Sequence, residues 1–478
     1  MSQTASRFIK NIGFNIISDV STKIANSLLI ILISRYLGVS ALGSFIIANT
    51  YFNFGLLFSF WGFRNLLIRG IAQDRKEYNK YLSNFGVIRI ILASIAIIAI
   101  NLIVRKIGYA DDTYRVLKII SIGILANTLV QLQFSLFIAF EKLKYLSIIS
   151  LTTNILRLLI CVFVITYSGD IVTIALILTI MEFVTLIMSS IITILVFPDF
   201  SFSWNLKFSI NQINKGIPLF LIAVFGTLDN RIDILLISIF FNEDSVGYYT
   251  AMYTFIGALS LISEGIRNAI FPIFARYKIQ NEEKLREMLH ILRKYIIIFT
   301  FPISIFTYLY AQDIIFFLFG SGYSISVTML KIVVWFFCGF SLTVVNTRLL
   351  IVNEKESQVV FLFFISGILT LILNLIFTPR FGIIFVAYIR LLTSYIMLIL
   401  STIFLYFQGY KIEQPKNYLK ILLACLIMIF TAIIFNPNKP LLASVVSLLL
   451  YSLFILVLGV ITPKDIKLWK NIIYNFVN

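Results

Sequence analysis

Long apolar runs, each cut off by a short polar stretch, recur from one end of the chain to the other. A bilayer needs about 20 mostly apolar residues per crossing helix, and by that measure the pattern predicts about fourteen transmembrane helices. The first six fall near 12–34, 41–63, 86–104, 116–140, 146–168 and 171–197. The next six fall near 217–241, 247–270, 294–312, 326–350, 359–378 and 383–407, and two more near 418–435 and 441–461. Pro198, Pro379 and Pro437 help to set the breaks. The fold class read from this pattern is an all-α polytopic membrane protein. The first run carries Asp19 and Lys23 and has no small-residue cleavage site, so it is expected to be retained as a helix rather than removed as a signal peptide.

The polar stretches orient the chain. With the N-terminus inside, Lys and Arg, Arg293 and Lys294 among them, favour inward over outward loops by about four to one. The outward loops hold only Arg35, Arg105, Lys106, Arg115, Arg380 and Lys439. Both termini are therefore expected in the cytoplasm. The longest inward stretches, Arg64–Phe85 and Phe271–Arg293, mix apolar and charged residues at helical spacing, and either amphipathic surface segments or plain solvated loops fit them. His290, the lone histidine, falls in the second of these, expected to be a loop.

Composition agrees. Of 478 residues, 60% are hydrophobic and 13% charged, and mean hydropathy is +0.97. That leaves too little polar surface for a soluble enzyme or a disordered chain. The net charge of +17 reflects basic loops rather than a nucleic-acid site, and no nucleic-acid partner is expected. Cys161, Cys338 and Cys425 stand singly in apolar runs, which indicates neither a disulfide framework nor a metal site.

The chain repeats itself. Gly62-Phe63-Arg64-Asn65 recurs as Gly265-Ile266-Arg267-Asn268, and Ile33-Ser34 with Gly43 recurs as Ile237-Ser238 with Gly247. Leu117-Lys118-Ile119 recurs as Leu330-Lys331-Ile332, Glu141-Lys142 as Glu354-Lys355, and Gly169 as Gly382. Ordered matches across several loops and helices imply two parallel six-helix repeats, 1–200 and 201–410, forming two lobes. Residues 411–478 then add two further helices and a cytoplasmic tail.

Charges within the predicted spans are costly, about 2.5–3.5 kcal/mol each at a helix centre. The cations there are Lys23, Arg89, Lys118, Arg157, Arg231, Arg267, Lys331, Arg348 and Arg390. Lys118, Lys331, Arg348 and Arg267 lie near span ends and can snorkel. Lys23, Arg89, Arg157, Arg231, Arg267 and Arg390, with Arg64 at the inner end of the second span, are the candidate substrate-binding cations. Asp19, Glu182, Asp229, Asp233 and Glu264 are candidates for coupling a proton or sodium gradient, or for structural charge pairs. Asp19 and Lys23, like Asp229 and Asp233, are four apart and share a helix face. The surplus of cations favours an anionic substrate, since guanidinium matches phosphate bidentately.

Several short stretches resemble the Wzx-like polysaccharide (O-antigen type) flippases of the multidrug/oligosaccharidyl-lipid/polysaccharide exporter superfamily. They are Ser34-Arg35-Tyr36-Leu37-Gly38 with Gly43-Ser44-Phe45, and their counterpart Ser245-Val246-Gly247-Tyr248-Tyr249. Leu318-Phe319-Gly320-Ser321-Gly322-Tyr323 with Leu330, and Asn374, Pro379, Phe381-Gly382 and Ala387, are similar to two later family stretches. Ser40-Ala41 and the bulky Ile383-Ile384-Phe385 depart from the family pattern. The resemblance spans about residues 8–410. It implies movement of undecaprenyl-diphosphate-linked oligosaccharide from the cytoplasmic to the outer leaflet by alternating access, without cofactor or chemistry on the substrate. Membrane lipids and polysaccharide polymerase machinery are the implied partners. Two rivals handle related tasks: a lipid II flippase and an ion-coupled multidrug antiporter. A membrane-embedded polymerase would need a sizeable outward catalytic loop. No P-loop for nucleotide hydrolysis occurs.

Overall fold

The computed structural model describes residues 3–167, 169–410, 415–435, 440–462 and 465, with the side chains of 3–12, 15–17, 229, 230, 268, 415–418, 435 and 440–445 left undescribed. Every regular element among them is helical. The protein is a multi-pass membrane protein. In chain order the helices are α1 Gln3–Phe60, α2 Phe63–Gln73, α3 Tyr78–Ile107, α4 Asp111–Ala139, α5 Leu143–Thr166, α6 Ile171–Val196, α7 Leu206–Phe240 and α8 Glu243–Gln280. They continue as α9 Glu282–Leu309, α10 Ala311–Phe319, α11 Ser324–Val333, α12 Phe336–Val352, α13 Glu356–Phe381, α14 Ile384–Phe407, α15 Pro415–Phe435 and α16 Pro440–Val457.

Among the described residues, nine helices are long and apolar enough to cross a membrane, and the α11–α12 pair, bent by 46°, would make a tenth. The expectation of fourteen differs for identifiable reasons. The segment Ser18–Gln73 counts once although it contains two predicted spans, because α1 runs on through a break at Gly38 (φ 86) instead of stopping there. The apolar parts of α15 and α16 are short. Helices also outrun the apolar stretches. His290 and its neighbours, read as a loop, lie inside α9, which extends well past the apolar stretch.

The chain forms two compact units, Met1–Ala251 with Leu318–Tyr323, and Met252–Phe317 with Ser324–Asn478. In the first, α4 packs on α1, α3 and α6, α5 packs on α1 and α6, and α7 lies along α1, α2 and α3. Helix α2 is amphipathic, as the mixed pattern after Arg64 suggested: Phe63, Leu67 and Ile71 are buried while Arg64 and Arg69 are exposed. Its buried face joins Phe85, Leu136, Phe137 and Phe197 in one core. The α6–α7 linker is tied down by buried Asn84, which donates to Ser203 O and accepts from Asn205 N and Ser209 Oγ.

Gly43 is required by close approach. A methyl group there would overlap the backbone carbonyl of Glu243, which cannot swing aside as a side chain would. Gly43→Ala is therefore expected to cost about 1–3 kcal/mol, seen as earlier loss of the monodisperse detergent-solubilised species on heating. Gly86→Ala, which meets only Leu132 Cδ2 at an ordinary 3.7 Å, should leave that midpoint unchanged.

In the second unit, α12 packs on α9 and α14, α13 on α14, and α15 and α16 pair and lean on α9. Ile297, Ile298 and Ile305 of α9 meet Ile421, Cys425 and Met428 of α15 and Tyr451 and Ile455 of α16. Arg293 and Lys294, read as inward-loop cations, are buried instead (7% and 8% exposed). Arg293 Nε and Nη2 donate to Asn346 Oδ1, and Lys294 Nζ pairs with Asp465 Oδ2 at 2.6 Å.

The internal repeat reaches the backbone. Glu141 and Glu354 both have φ 59, unusual for a non-glycine residue. Each closes a Schellman turn: Glu141 N and Lys142 N donate to Ile138 O and Phe137 O, and Glu354 N and Lys355 N donate to Ile351 O and Leu350 O. The two Gly-X-Arg-Asn copies diverge. Gly62 (φ 73) separates α1 from α2, whereas Gly265 lies within continuous α8.

Candidate functional site

The first unit encloses a cavity of about 420 Å³ between α1, α4, α5 and α6, with Arg231 of α7 at its wall. That is toward the low end of ligand pockets, about 300–1,000 Å³. The wall is built by helical spacing. Thr22, Asn26 and Leu29 follow one stripe of α1, and Asn49, Asn53, Leu56 and Phe60 follow a stripe beyond the Gly38 break. Asn127 and Gln131 of α4, Thr153, Asn154 and Arg157 of α5, and Glu182 and Thr185 of α6 complete it.

Three of the charges singled out in the sequence meet here: Arg157, Glu182 and Arg231. Arg157 Nη2 donates to Asn26 Oδ1 at 2.9 Å and to Asn154 Oδ1 at 3.0 Å, so α1 and α5 jointly aim the guanidinium. Arg157 Nε is buried and has no acceptor among the described residues. Asn154 is itself positioned by donating to Thr22 Oγ1 at 3.0 Å. Glu182 Oε2 accepts from Asn127 Nδ2 at 2.9 Å.

The other candidates sit elsewhere. Lys23 and Asp19 are exposed on α1 and do not line the cavity, and Arg64 is exposed on α2. Arg89 is fully buried, donates from Nη1 to Thr128 O at 3.0 Å and lies 5.3 Å from the centre of the Phe60 ring. Phe60 lines the cavity, so Arg89 stands behind its wall. Asp233 is buried and accepts from Tyr249 OH at 2.7 Å, the arrangement of a structural hydrogen bond. The side chain of Asp229 lies outside the described residues. In the second unit Arg267 Nη2 pairs with Glu264 Oε2 at 2.6 Å, and Arg390, 6% exposed, lies 5.8 Å from the Tyr253 ring centre.

Sequence reasoning passed over the carboxamides. Asn49 and Asn53, and Asn127 and Gln131, are each four apart, and Asn154 stands three before Arg157. Uncharged amides in apolar helices carry little insertion penalty, so a search for costly charges does not flag them. Their repeated one-turn spacing is the signal that was available. Among the described residues no cluster of His, Cys, Asp and Glu suits a metal ion.

The described residues thus form a helical multi-pass membrane protein with a polar, partly cationic cavity in its first unit. Solved structures match over 80–95% of the chain. One is a lipid II flippase, MurJ, in an inward closed conformation (TM-score 0.76, 19% identity, 95% of this chain and 99% of that one). Another is an inward-facing multidrug resistance MATE family transporter of the MOP superfamily (TM-score 0.63, 12% identity, 80% and 93%). A MOP superfamily transporter from Pyrococcus furiosus, described as having a binding pocket of reverse polarity, also matches (TM-score 0.56, 14% identity, 82% and 94%). At these identities the likeness establishes the fold. The family is established by sequence: residues 8–278 match the polysaccharide biosynthesis protein family, and the chain belongs to it. No curated relative matches the chain.

Proposed function

We propose that the protein is a flippase of the MOP superfamily that carries undecaprenyl-diphosphate-linked oligosaccharide repeat units from the cytoplasmic to the outer leaflet for surface polysaccharide. The observation that carries this reading is the polar cavity in a chain of the polysaccharide biosynthesis family: Arg157 and Arg231 face it, embedded among apolar helices. Such a cavity gives part of a polar, anionic headgroup an aqueous resting place while the lipid tail stays in the bilayer. Alternating access moves the headgroup, and no bond of the substrate is made or broken. The Lys/Arg bias supports cytoplasmic termini in a bacterial cytoplasmic membrane. Glu182, the one acid among the described lining residues, is the group we assign to coupling with a proton or sodium gradient. Polymerase machinery on the outer side is the natural recipient.

The second reading, a lipid II flippase, is favoured by the structural match to a protein of that name. Expression in a strain lacking its polysaccharide flippase separates the two. Restored surface polymer, with loss of the lipid-linked intermediate held inside, is the expected result. Rescue of a strain lacking its lipid II flippase, with no effect on polymer, would transfer the assignment. Restored drug resistance alone would favour an antiporter.

A further inference from the structure

The second unit has a cavity of its own, about 740 Å³, where α13 and α14 meet the start of α12. It lies at the break between α11 and α12, where the two helices bend by 46°. Trp335 occupies that break and lines the cavity, and Tyr395 OH of α14 donates to its carbonyl at 3.3 Å. Leu373 and Phe377 of α13 and Phe385, Tyr388 and Leu392 of α14 form the walls. Every lining side chain is apolar or aromatic. Tyr388 and Leu392 are 50% and 51% exposed, although both α13 and α14 are long and apolar enough to cross a membrane. The cavity is therefore open to hydrocarbon.

Apolarity alone selects nothing in a bilayer, because lipid tails are as apolar as the side chains they touch. Selection needs a concave fit and a fixed polar contact. The fit comes from a volume within the range of ligand pockets, about 300–1,000 Å³, which suits one fatty acyl chain rather than a long polyprenyl chain. The polar contact comes from Arg380. It follows Leu373 by seven residues and Phe377 by three, all within α13, so the stripe that walls the cavity ends in a guanidinium. Arg380 is exposed and makes no hydrogen bond or ion pair among the described residues. In the last turn of a crossing helix it stands at headgroup level, one turn beyond the chain-sized cavity. Tyr388, whose ring packs 6.0 Å from that of Phe385, has the apolar body and polar tip that suit this level. Guanidinium matches phosphate bidentately, and a headgroup without an ammonium brings no cation against it.

We propose that the α13–α14 corner binds an anionic glycerophospholipid, with one acyl chain in the cavity and the phosphate on Arg380. The site shares no residue with the first-unit cavity and does not depend on the flippase reading. Full-length protein, stripped of lipid in detergent, tests it by native mass spectrometry. Photocrosslinking with a phosphatidylglycerol that carries a diazirine on one acyl chain locates the chain. A single saturable adduct mapping to 335–395 is expected. Phosphatidylglycerol should bind at least fivefold more tightly than phosphatidylethanolamine or diacylglycerol with the same chains. Arg380→Gln should bring the three lipids level without abolishing the adduct. Leu392→Trp, a bulkier ring in the cavity wall, should weaken all three at least threefold. Both substitutions change exposed side chains, so the fold is retained. Labelling that does not saturate or that maps outside 335–395 overturns the proposal, as does a lipid preference that survives Arg380→Gln. Displacement of the phosphatidylglycerol by equimolar undecaprenyl phosphate also overturns it and gives the cavity to a polyprenyl chain instead.

Discussion

Arg157→Ala is expected to reduce polymer export tenfold or more while the protein still reaches the membrane at its normal level. The guanidinium does three things at once. It spans α1 and α5 through Asn26 and Asn154, it stands in the same cavity as Glu182, and it keeps Nε–H in reserve. Alanine removes all three and leaves the Asn26 and Asn154 amide oxygens without their shared donor. A tenfold loss corresponds to about 1.4 kcal/mol, a modest demand on one charge-assisted contact, each worth about 1.5–3 kcal/mol. Arg157→Lys separates charge from geometry. A lysine restores the cation but not the planar fork, so export between the alanine variant and the parent is expected. Lipid-linked intermediate inside and polymer outside are the quantities to measure, with membrane level checked by immunoblot. Wild-type polymer from the alanine variant would take Arg157 out of transport.

The helical plan was legible because burial in a bilayer writes itself as unbroken apolar length, and the predicted spans fall mainly on helix, with 326–350 broken between α11 and α12. The repeat was legible for a sharper reason: Glu141-Lys142 and Glu354-Lys355 adopt the same left-handed turn with the same carbonyl partners. What apolar length cannot show is where a helix goes on after it leaves the hydrocarbon. Arg293 and Lys294 looked like loop residues on that account, and they are buried on α9. The cavity was partly legible. Arg157, Glu182 and Arg231 stood out as charges too costly to be idle. Lys23 stood out equally, yet the cavity takes its neighbour Thr22 and then Asn26. One residue is about 100° of rotation around a helix, and only packing decides which stripe of α1 faces in.

The two clusters of buried cations divide along the same lines. In the first unit Arg157 is tied to amides on one edge only and faces a cavity. In the second, Arg293 gives two bonds to a single oxygen of Asn346, whose own Nδ2 donates to Ser401 and Thr402. These bonds tie α9, α12 and α14 together, whereas Arg157 keeps a buried Nε–H with no acceptor among the described residues. On the proposed function, partner geometry, more than charge or depth, is what sets Arg157 apart from Arg293.

Lys294→Met is expected to destabilise the second unit by about 3–5 kcal/mol, because it strands the Asp465 carboxylate in a buried position. Asp465 Oδ2 takes a 2.6 Å bond from Lys294 Nζ and another from Thr462 N, and Lys294 also donates to Val460 O. The pair thus pins the segment after α16 to α9, beside the core that α15 and α16 share with α9. Early proteolysis near 458–465 and a lower unfolding midpoint are the readouts. A matching Asp465→Leu in the same chain should recover most of the loss, since an apolar pair needs no compensation. The pH dependence has a defined sign. Burial pushes the Asp465 carboxyl up, but the bonds from Lys294 and Thr462 together with the ammonium charge outweigh it and hold the group below its ordinary value. Its contribution is therefore complete above the unfolded-state value of about 3.9 and fades as pH falls through the lower folded value. Without Lys294 the same carboxyl is held down less and takes up its proton at a higher pH in the variant than in the parent. The stability gap between parent and Lys294→Met should therefore narrow as pH falls toward about 4 and close in stronger acid. A gap that persists unchanged into stronger acid would mean that α9 holds the C-terminal helices by apolar packing alone.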